Sequence, residues 1–306
     1  MLTSPNLIPD GVQSLVEIDP VLTRWIAENA RAGVDPGAVV AAMRQAGWAE
    51  ADAAKVIQDV VVQVFPGFSR NPFVSTVHAH PIPEPLMDSG SSYVYAGDKM
   101  VEVVMTSMLP RLVVFDGFLS DDECDGLIEL ARPRMERSGV IQPVTGGSEI
   151  NDVRTSTGMF FQLGEQELVA RIESRIACML HWPVENGEGI QVLNYQQNAE
   201  YKPHQDFFDP ADVGTPKSIG LAGQRVGTLL MYLNTPERGG GTVFPDAGLE
   251  VHAKKGRAVL FTYDQPSSMK KTLHGGAPVL QGEKWAATKW MRQRAFIPQG
   301  IPGPRR

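Results

Sequence analysis

Two hydrophobic periods divide the chain. Between residues 19 and about 64, apolar side chains recur every three or four positions, which predicts three short helices. Asp19-Pro20 opens the first as N-cap and first helical residue, with Val21, Leu22, Trp25, Ile26 and Ala30 on one face and Gly33 at its end. Asp35-Pro36 opens the second, which carries Val39, Val40 and Met43 and stops at Gly47. Ala53, Val56, Ile57, Val60 and Val61 mark the third. Helices this short are marginal alone and must share a core, so residues 1–65 are expected to form a small helical module.

From Pro66 to Asp98 the period disappears. Pro66, Pro72, Pro81, Pro83 and Pro85, with Gly90-Ser91-Ser92, predict a proline-rich linker over residues 66–98. His78 and His80 fall in it and read as solvated side chains, with no acidic partner fixed nearby. Residues 99–299 then take on strand texture, and 300–306 form a tail. Short apolar runs at Arg111–Phe115, Gly189–Tyr195, Val226–Leu233, Arg257–Tyr263 and Lys284–Met291 predict strands. Two helices are expected among them. Ser120 and Glu123 form a capping box ahead of Cys124, Leu127, Ile128 and Ala131. Leu168, Ile172, Ile176 and Met179 give the apolar face of a helix over about 165–180. The fold class is therefore α+β: a double-stranded β-helix of the jelly-roll or cupin kind with flanking helices, plus the small N-terminal three-helix module.

Composition narrows the function classes. The net charge of -7 and a pI near 5.4 argue against a nucleic-acid or membrane-surface partner. Two isolated cysteines, Cys124 and Cys178, make no disulfide framework and predict a reducing, cytoplasmic setting. The first residues show no basic segment followed by an apolar one, so no secretory leader is expected.

The chemistry-bearing residues follow the strands. His204 and Asp206 stand in Tyr-Lys-Pro-His-Gln-Asp, His274 in Leu-His-Gly-Gly, and Lys284 ten residues later. Two imidazoles and one carboxylate on one face of a metal leave the opposite positions open, the arrangement of non-haem Fe(II) oxygenases. Positions i and i+2 of a strand share a face, so His204 and Asp206 are expected to converge, with His274 arriving from a strand across the barrel.

Longer blocks carry a family resemblance. They include Phe115–Cys124, Val153–Gly158, Trp182–Glu188, Gln191–Tyr195, Tyr201–Asp206, Gly223–Leu233, Gly240–Pro245 and His274-Gly-Gly-Ala-Pro-Val. Residues 110–295 resemble the catalytic domain of the prolyl 4-hydroxylase alpha-subunit family of Fe(II)- and 2-oxoglutarate-dependent dioxygenases. The resemblance implies Fe(II) on His204, Asp206 and His274, with 2-oxoglutarate and O2 as co-substrates and ascorbate as a reductant. Asp206 implies hydroxylation or another oxidation, since halide takes the place of this carboxylate where the superfamily lacks it. Lys284 matches the residue that holds the far carboxylate of 2-oxoglutarate, and a buried carboxylate needs such a cation. Tyr195 and Thr242 match positions that hydrogen-bond the co-substrate.

On the substrate side, Arg154 matches a bordering block, with a structural ion pair as the competing reading. Tyr201 and Trp290 are cavity-lining candidates, with core packing as the alternative. Gly241 departs from the family, where Glu is common. The Gly-rich segment between Asp209 and Arg225 is expected to form a loop able to close over substrate.

The implied activity is hydroxylation of a prolyl residue in a peptide or protein, with succinate and CO2 released. The alternative substrate is a free amino acid or other small molecule, and the reading of a different class is a non-catalytic 2-oxoglutarate sensor. The N-terminal helices loosely resemble a ubiquitin-associated module, which makes a protein partner their expected ligand; a helical extension docked on the main domain is the competing expectation.

Overall fold

The computed structural model describes residues 20–31, 36–49, 82–87, 92–141, 148–149, 154–220 and 222–296, with positions 52, 53, 56, 57 and 60. His78, His80, the tail 300–306 and most of the proline-rich segment lie outside them. Helices α1 (Pro20–Arg31) and α2 (Pro36–Gln45) begin at the two predicted prolines. Ile26, Val39 and Met43 are buried together with Ala53, Ile57 and Val60. The rest of the third predicted helix is outside the described residues.

Two sheets make up the remainder. The strands in chain order are β1 (Tyr93–Tyr95), β2 (Met100–Met108), β3 (Arg111–Asp116), β4 (Glu136–Arg137), β5 (Val140–Ile141), β6 (Ser148–Glu149), β7 (Thr157–Phe160), β8 (Gln191–Tyr195) and β9 (Tyr201–His204). They continue with β10 (Arg225–Tyr232), β11 (Arg238–Gly239), β12 (Thr242–Phe244), β13 (Leu249–Val251), β14 (Ala258–Thr262), β15 (His274–Gly276), β16 (Val279–Gln281) and β17 (Lys284–Arg292). The large sheet runs β1-β2-β3-β14-β10-β17-β8-β7-β4 and the small one β13-β12-β15-β9, while β5-β6 and β11-β16 form separate short ladders.

The predicted linker overlaps this framework. Within 66–98, β1 pairs with β2 and Ile82 is buried in the main core. The Glu84 amide donates to the Leu180 carbonyl at 3.1 Å. Folded structure thus begins upstream of residue 99, because prolines at 81, 83 and 85 forbid helix but not an extended segment laid on the core.

Both faces of the central strands β3, β14, β10, β17 and β8 are covered, and the pleat sorts their side chains. One face packs on α3 (Asp121–Ala131) and α4 (Glu167–Leu180): Val113, Phe115, Leu229, Met231, Ala258, Leu260 and Ala287 share a core with Leu127, Ile172 and Ile176. The intervening residues Leu112, Val114, Tyr232, Val259 and Phe261 pack on Phe244 and Val251 of the small sheet. Strand β17 is buried along its whole length for this reason. Its alternate residues Lys284, Ala286, Thr288 and Trp290 face a cavity between the sheets.

The predicted capping box is present at α3, where Ser120 accepts from the Glu123 amide and Glu123 from the Ser120 amide. Glu123 also receives two hydrogen bonds from buried Arg175, at 2.7 Å each, which ties α3 to α4. Cys124 and Cys178 are not joined in a disulfide. Among the described residues, no helix is long and apolar enough to cross a membrane.

Candidate metal centre and its cleft

The ladder between β9 and β15 places His274 directly opposite His204. His274 thus comes from the neighbouring strand of the small sheet, not from across the barrel as the 70-residue separation suggested. Asp206 follows two residues after β9 ends. One nitrogen of each imidazole and one oxygen of Asp206 lie within 4.8 Å of one another. His204 Nε2 is 3.6 Å from Asp206 Oδ1, and His274 Nε2 is 3.5 Å from Oδ2.

Backbone carbonyls orient both rings. His204 Nδ1 lies 2.9 Å from the Lys202 carbonyl and His274 Nδ1 2.9 Å from the Thr272 carbonyl. A carbonyl can only accept, so Nδ1 carries the proton and Nε2 presents its lone pair to the cluster, as metal-ligating histidines do. Burial lowers the His274 pKa to about 4, against the opposing pull of Asp206, so the ring is neutral at pH 7. Burial raises the Asp206 carboxyl, but His274 and His204 outweigh it and hold the group well below the usual carboxylate range. Two imidazole nitrogens and one carboxylate, each already oriented, fit a divalent transition metal.

Lys284 points into the same cavity. It is 3% exposed, and among the described residues no carboxylate pairs with it. Its ammonium lies 5.5 Å from the ring of Tyr195 and 5.4 Å from that of Tyr232. Burial lowers its pKa to about 8. A buried cation left without an anion is costly, so the site is built to receive a carboxylate. Tyr195 and Thr242 line the same space, and Tyr232, absent from the sequence candidates, sets its hydroxyl 2.7 Å from Thr242 Oγ1.

The metal cluster also borders an open cleft of about 1370 Å³. Arg154, Tyr201 and Trp290 line both spaces. Arg154 donates to Gln191 Oε1 at 3.0 Å rather than to a carboxylate, and its guanidinium lies 4.7 Å from the Tyr201 ring centre. Tyr201 in turn stacks on His204 with centroids 3.7 Å apart. Among the described residues, Arg154 Nε and Trp290 Nε1 are buried donors with no hydrogen-bond partner.

Other residues of the site were missed in the sequence. Arg225 makes a two-pronged pair with Glu188, at 2.7 and 2.8 Å, lies 4.0 Å from the Trp290 ring centre and donates to the Asp206 carbonyl. An arginine opening an otherwise apolar strand was the signal for it. The segment from Asp209 to Arg225 contains a short helix, α5 (Thr215–Ile219), and is tethered at both ends. Gln224 both donates to and accepts from the Phe208 backbone, and Arg292 donates to the Ser218 and Ile219 carbonyls. At Gly241, a Cβ would meet Glu250 Oε1 at 2.4 Å. The metal cluster is untouched by that departure.

Residues 190–292 match the model of the 2OG-Fe(II) oxygenase superfamily. Prolyl 4-hydroxylase 5 of Arabidopsis thaliana is 42% identical over 221 residues, covering 65% of this chain and 74% of its own length. Prolyl 4-hydroxylase 1 of the same plant is 43% identical over 225 residues, covering 68% and 77%. The 2OG complex of a viral collagen prolyl hydroxylase from Paramecium Bursaria Chlorella virus-1 aligns with a TM-score of 0.46 at 32% identity, over 59% of this chain and 95% of that one. The chain belongs to the prolyl 4-hydroxylase family of 2-oxoglutarate-dependent dioxygenases, with Fe(II) and 2-oxoglutarate as cofactor and co-substrate.

Proposed function

We propose that this chain hydroxylates a prolyl residue within a peptide or protein. The observation that carries the proposal is the meeting, in one cavity, of the His204–Asp206–His274 cluster and the unpaired Lys284 cation. Fe(II) held by the three ligands supplies O2 activation coupled to conversion of 2-oxoglutarate into succinate and CO2. Lys284 pairs with the far carboxylate of 2-oxoglutarate, with Tyr195 and Thr242 beside it. The two sheets around this cavity, with their alternating inward residues, support a double-stranded β-helix architecture.

The cleft supports a peptide substrate over a free amino acid. Its volume of about 1370 Å³ exceeds the roughly 300–1,000 Å³ of small-molecule pockets. Arg154 and Trp290 line this cleft beside the metal cluster, so a peptide laid along it would run past both. Tyr201 and Trp290 would wall the target ring. Among the described residues, the N-terminal helices line neither cavity, and they would recruit a macromolecular substrate.

Incubation with Fe(II), 2-oxoglutarate and O2, followed by mass spectrometry, tests the proposal. Proline-containing peptides should gain one oxygen atom at proline with matching succinate release. Oxygen gained only by free amino acids would overturn the peptide assignment.

A further inference from the structure

Asp206 is held by more than its two histidine neighbours. Its Oδ2 accepts a hydrogen bond from the Thr228 hydroxyl at 2.8 Å. Thr228 Oγ1 lies 3.2 Å from the Tyr263 hydroxyl. Thr228 is 1% exposed and Tyr263 2%. Counting protons fixes the direction of both bonds. A carboxylate has none to give, so Thr228 spends its only hydrogen on Asp206, and Tyr263 must therefore donate to Thr228. Oδ1, beside His204, takes no hydroxyl hydrogen bond among the described residues.

The three residues come from different elements. Asp206 lies beyond the end of β9, Thr228 is in the middle of β10, and Tyr263 just follows β14. Strands β10 and β14 are paired, with Thr228 opposite Phe261. The relay therefore connects a loop-borne carboxylate to the centre of the large sheet. Phe207 packs edge-on against Tyr263, centroids 5.8 Å apart, and closes the relay from the next residue of that loop. Two buried hydroxyls in series polarise one another, so each bond is stronger than it would be alone.

We propose that Thr228 and Tyr263 are positioning residues of the metal centre: their relay commits one Asp206 oxygen to the protein and leaves the other to serve as ligand. This rests on the assignment of His204, Asp206 and His274 as the metal site. Tyr263 lines neither cavity, and Thr228, which borders the inner one, commits its hydroxyl hydrogen to Asp206. Outer hydrogen bonds of this kind typically change metal affinity by about 10–100-fold.

The test is anaerobic titration of the chelator-stripped full chain with Co(II), following the visible Co(II) absorption. Thr228→Val should weaken binding about 10–100-fold, with a changed Co(II) spectrum. Thr228→Ser, which restores the hydroxyl, should bind near parent affinity. Tyr263→Phe should lose roughly 3–10-fold, and adding it to Thr228→Val should cost nothing more, because Tyr263 acts only through Thr228. Co(II) affinity within twofold of the parent in Thr228→Val, or independent addition in the double variant, overturns the relay. If Thr228→Val does not fold, Tyr263→Phe decides alone, since it removes one oxygen that never touches the carboxylate. Asp206→Asn run in parallel separates the two assignments: parent-like Co(II) affinity in that variant would mean the metal site itself is misplaced.

Discussion

His204 and His274 face each other as register partners on adjacent antiparallel strands, their ring centroids 4.5 Å apart. Cross-strand neighbours are the closest side chains that two strands can offer. The sheet's own hydrogen bonds thus set the spacing of two metal ligands. Only Asp206 needs separate support.

Replacing His204, Asp206 or His274 with Ala should lower succinate production by at least about 100-fold, as expected for loss of a metal ligand. His274 packs against Phe244 and Phe261, so its removal also costs about 1–2 kcal/mol of stability through the cavity left behind. Circular dichroism should show a folded protein. Near-normal turnover by His274→Ala would mean that the iron is elsewhere.

Lys284 should give 2-oxoglutarate binding a distinct pH dependence. With a pKa of about 8 in the empty site, the ammonium is charged below pH 8 and neutralises above it. The KM for 2-oxoglutarate should be flat up to pH 8 and then rise as the cation is lost. The same burial destabilises the empty protein. A lowered folded pKa means that this cost is complete below pH 8 and vanishes above 10.5, the ordinary value. Lys284→Met should therefore stabilise the unliganded protein by on the order of 3 kcal/mol at pH 7, while abolishing 2-oxoglutarate binding. Unfolding midpoints measured at pH 7 and pH 10.5 check the sign.

Glu188 is buried between Arg225 and Arg292, with hydrogen bonds of 2.7 to 2.8 Å to both. Glu188→Gln would leave two guanidinium groups underpaired, at a cost of about 3–5 kcal/mol in urea unfolding. Because Arg225 also donates to the Asp206 carbonyl, Co(II) affinity should fall in the same variant. An unchanged urea midpoint would refute the buried pairing.

Acid stability should depend on Glu123. Burial pushes this carboxyl up, but Arg175 and the Ser120 amide overcome it and bring the pKa down to about 2. A depressed carboxylate contributes fully above its ordinary value of 4.5 and loses that contribution as pH falls toward 2. Glu123→Gln should destabilise the chain at pH 7 and flatten the stability profile between those limits. A profile parallel to the parent's would exclude Glu123 as the titrating group.

Truncation should separate the N-terminal helices from the catalytic unit at a specific place. A chain beginning at residue 81 retains Ile82, the Glu84 contact to α4 and β1. It should keep 2-oxoglutarate turnover in the absence of substrate and lose efficiency only on large substrates. A chain beginning at residue 99 loses those elements and should fold poorly. If both truncations behave alike in thermal unfolding, the segment 82–98 is dispensable.

Much of the framework was legible because it depends on local chemistry. The capping box at Ser120 and Glu123 follows from neighbours three residues apart, and β3, β10 and β14 are largely apolar runs, as strands covered on both faces tend to be. The metal ligands were legible because His-x-Asp ends a strand and His274 begins another. What stayed hidden was non-local or short. Strands β12, β13, β15 and β16 have three residues each, too few to show a period. The adjacency of His274 to His204 depends on strand order, which no residue announces. Thr228 and Tyr263 look like ordinary strand residues, and their hydrogen bonds span 22 and 35 positions. Prolines at 81, 83 and 85 signalled irregular backbone correctly but could not say whether it was free or docked.

Strand β17 carries Lys284 near one end and Trp290 near the other, on the same face, and its ladders to β8 (Lys284 to Thr288) and to β10 (Ala286 to Met291) overlap without a break. Six strand residues span about 20 Å, so the strand works as a ruler between the buried Lys284 ammonium and the open cleft. Point substitutions can change what either end binds. An inserted or deleted residue between them would turn one end over to the helix side, where Lys289 now meets Glu173. Diversification of such an enzyme is therefore channelled into side-chain exchange along β17 and length change in the loops that rim the cleft. Two homologues with different substrates should align without gaps from Lys284 to Trp290.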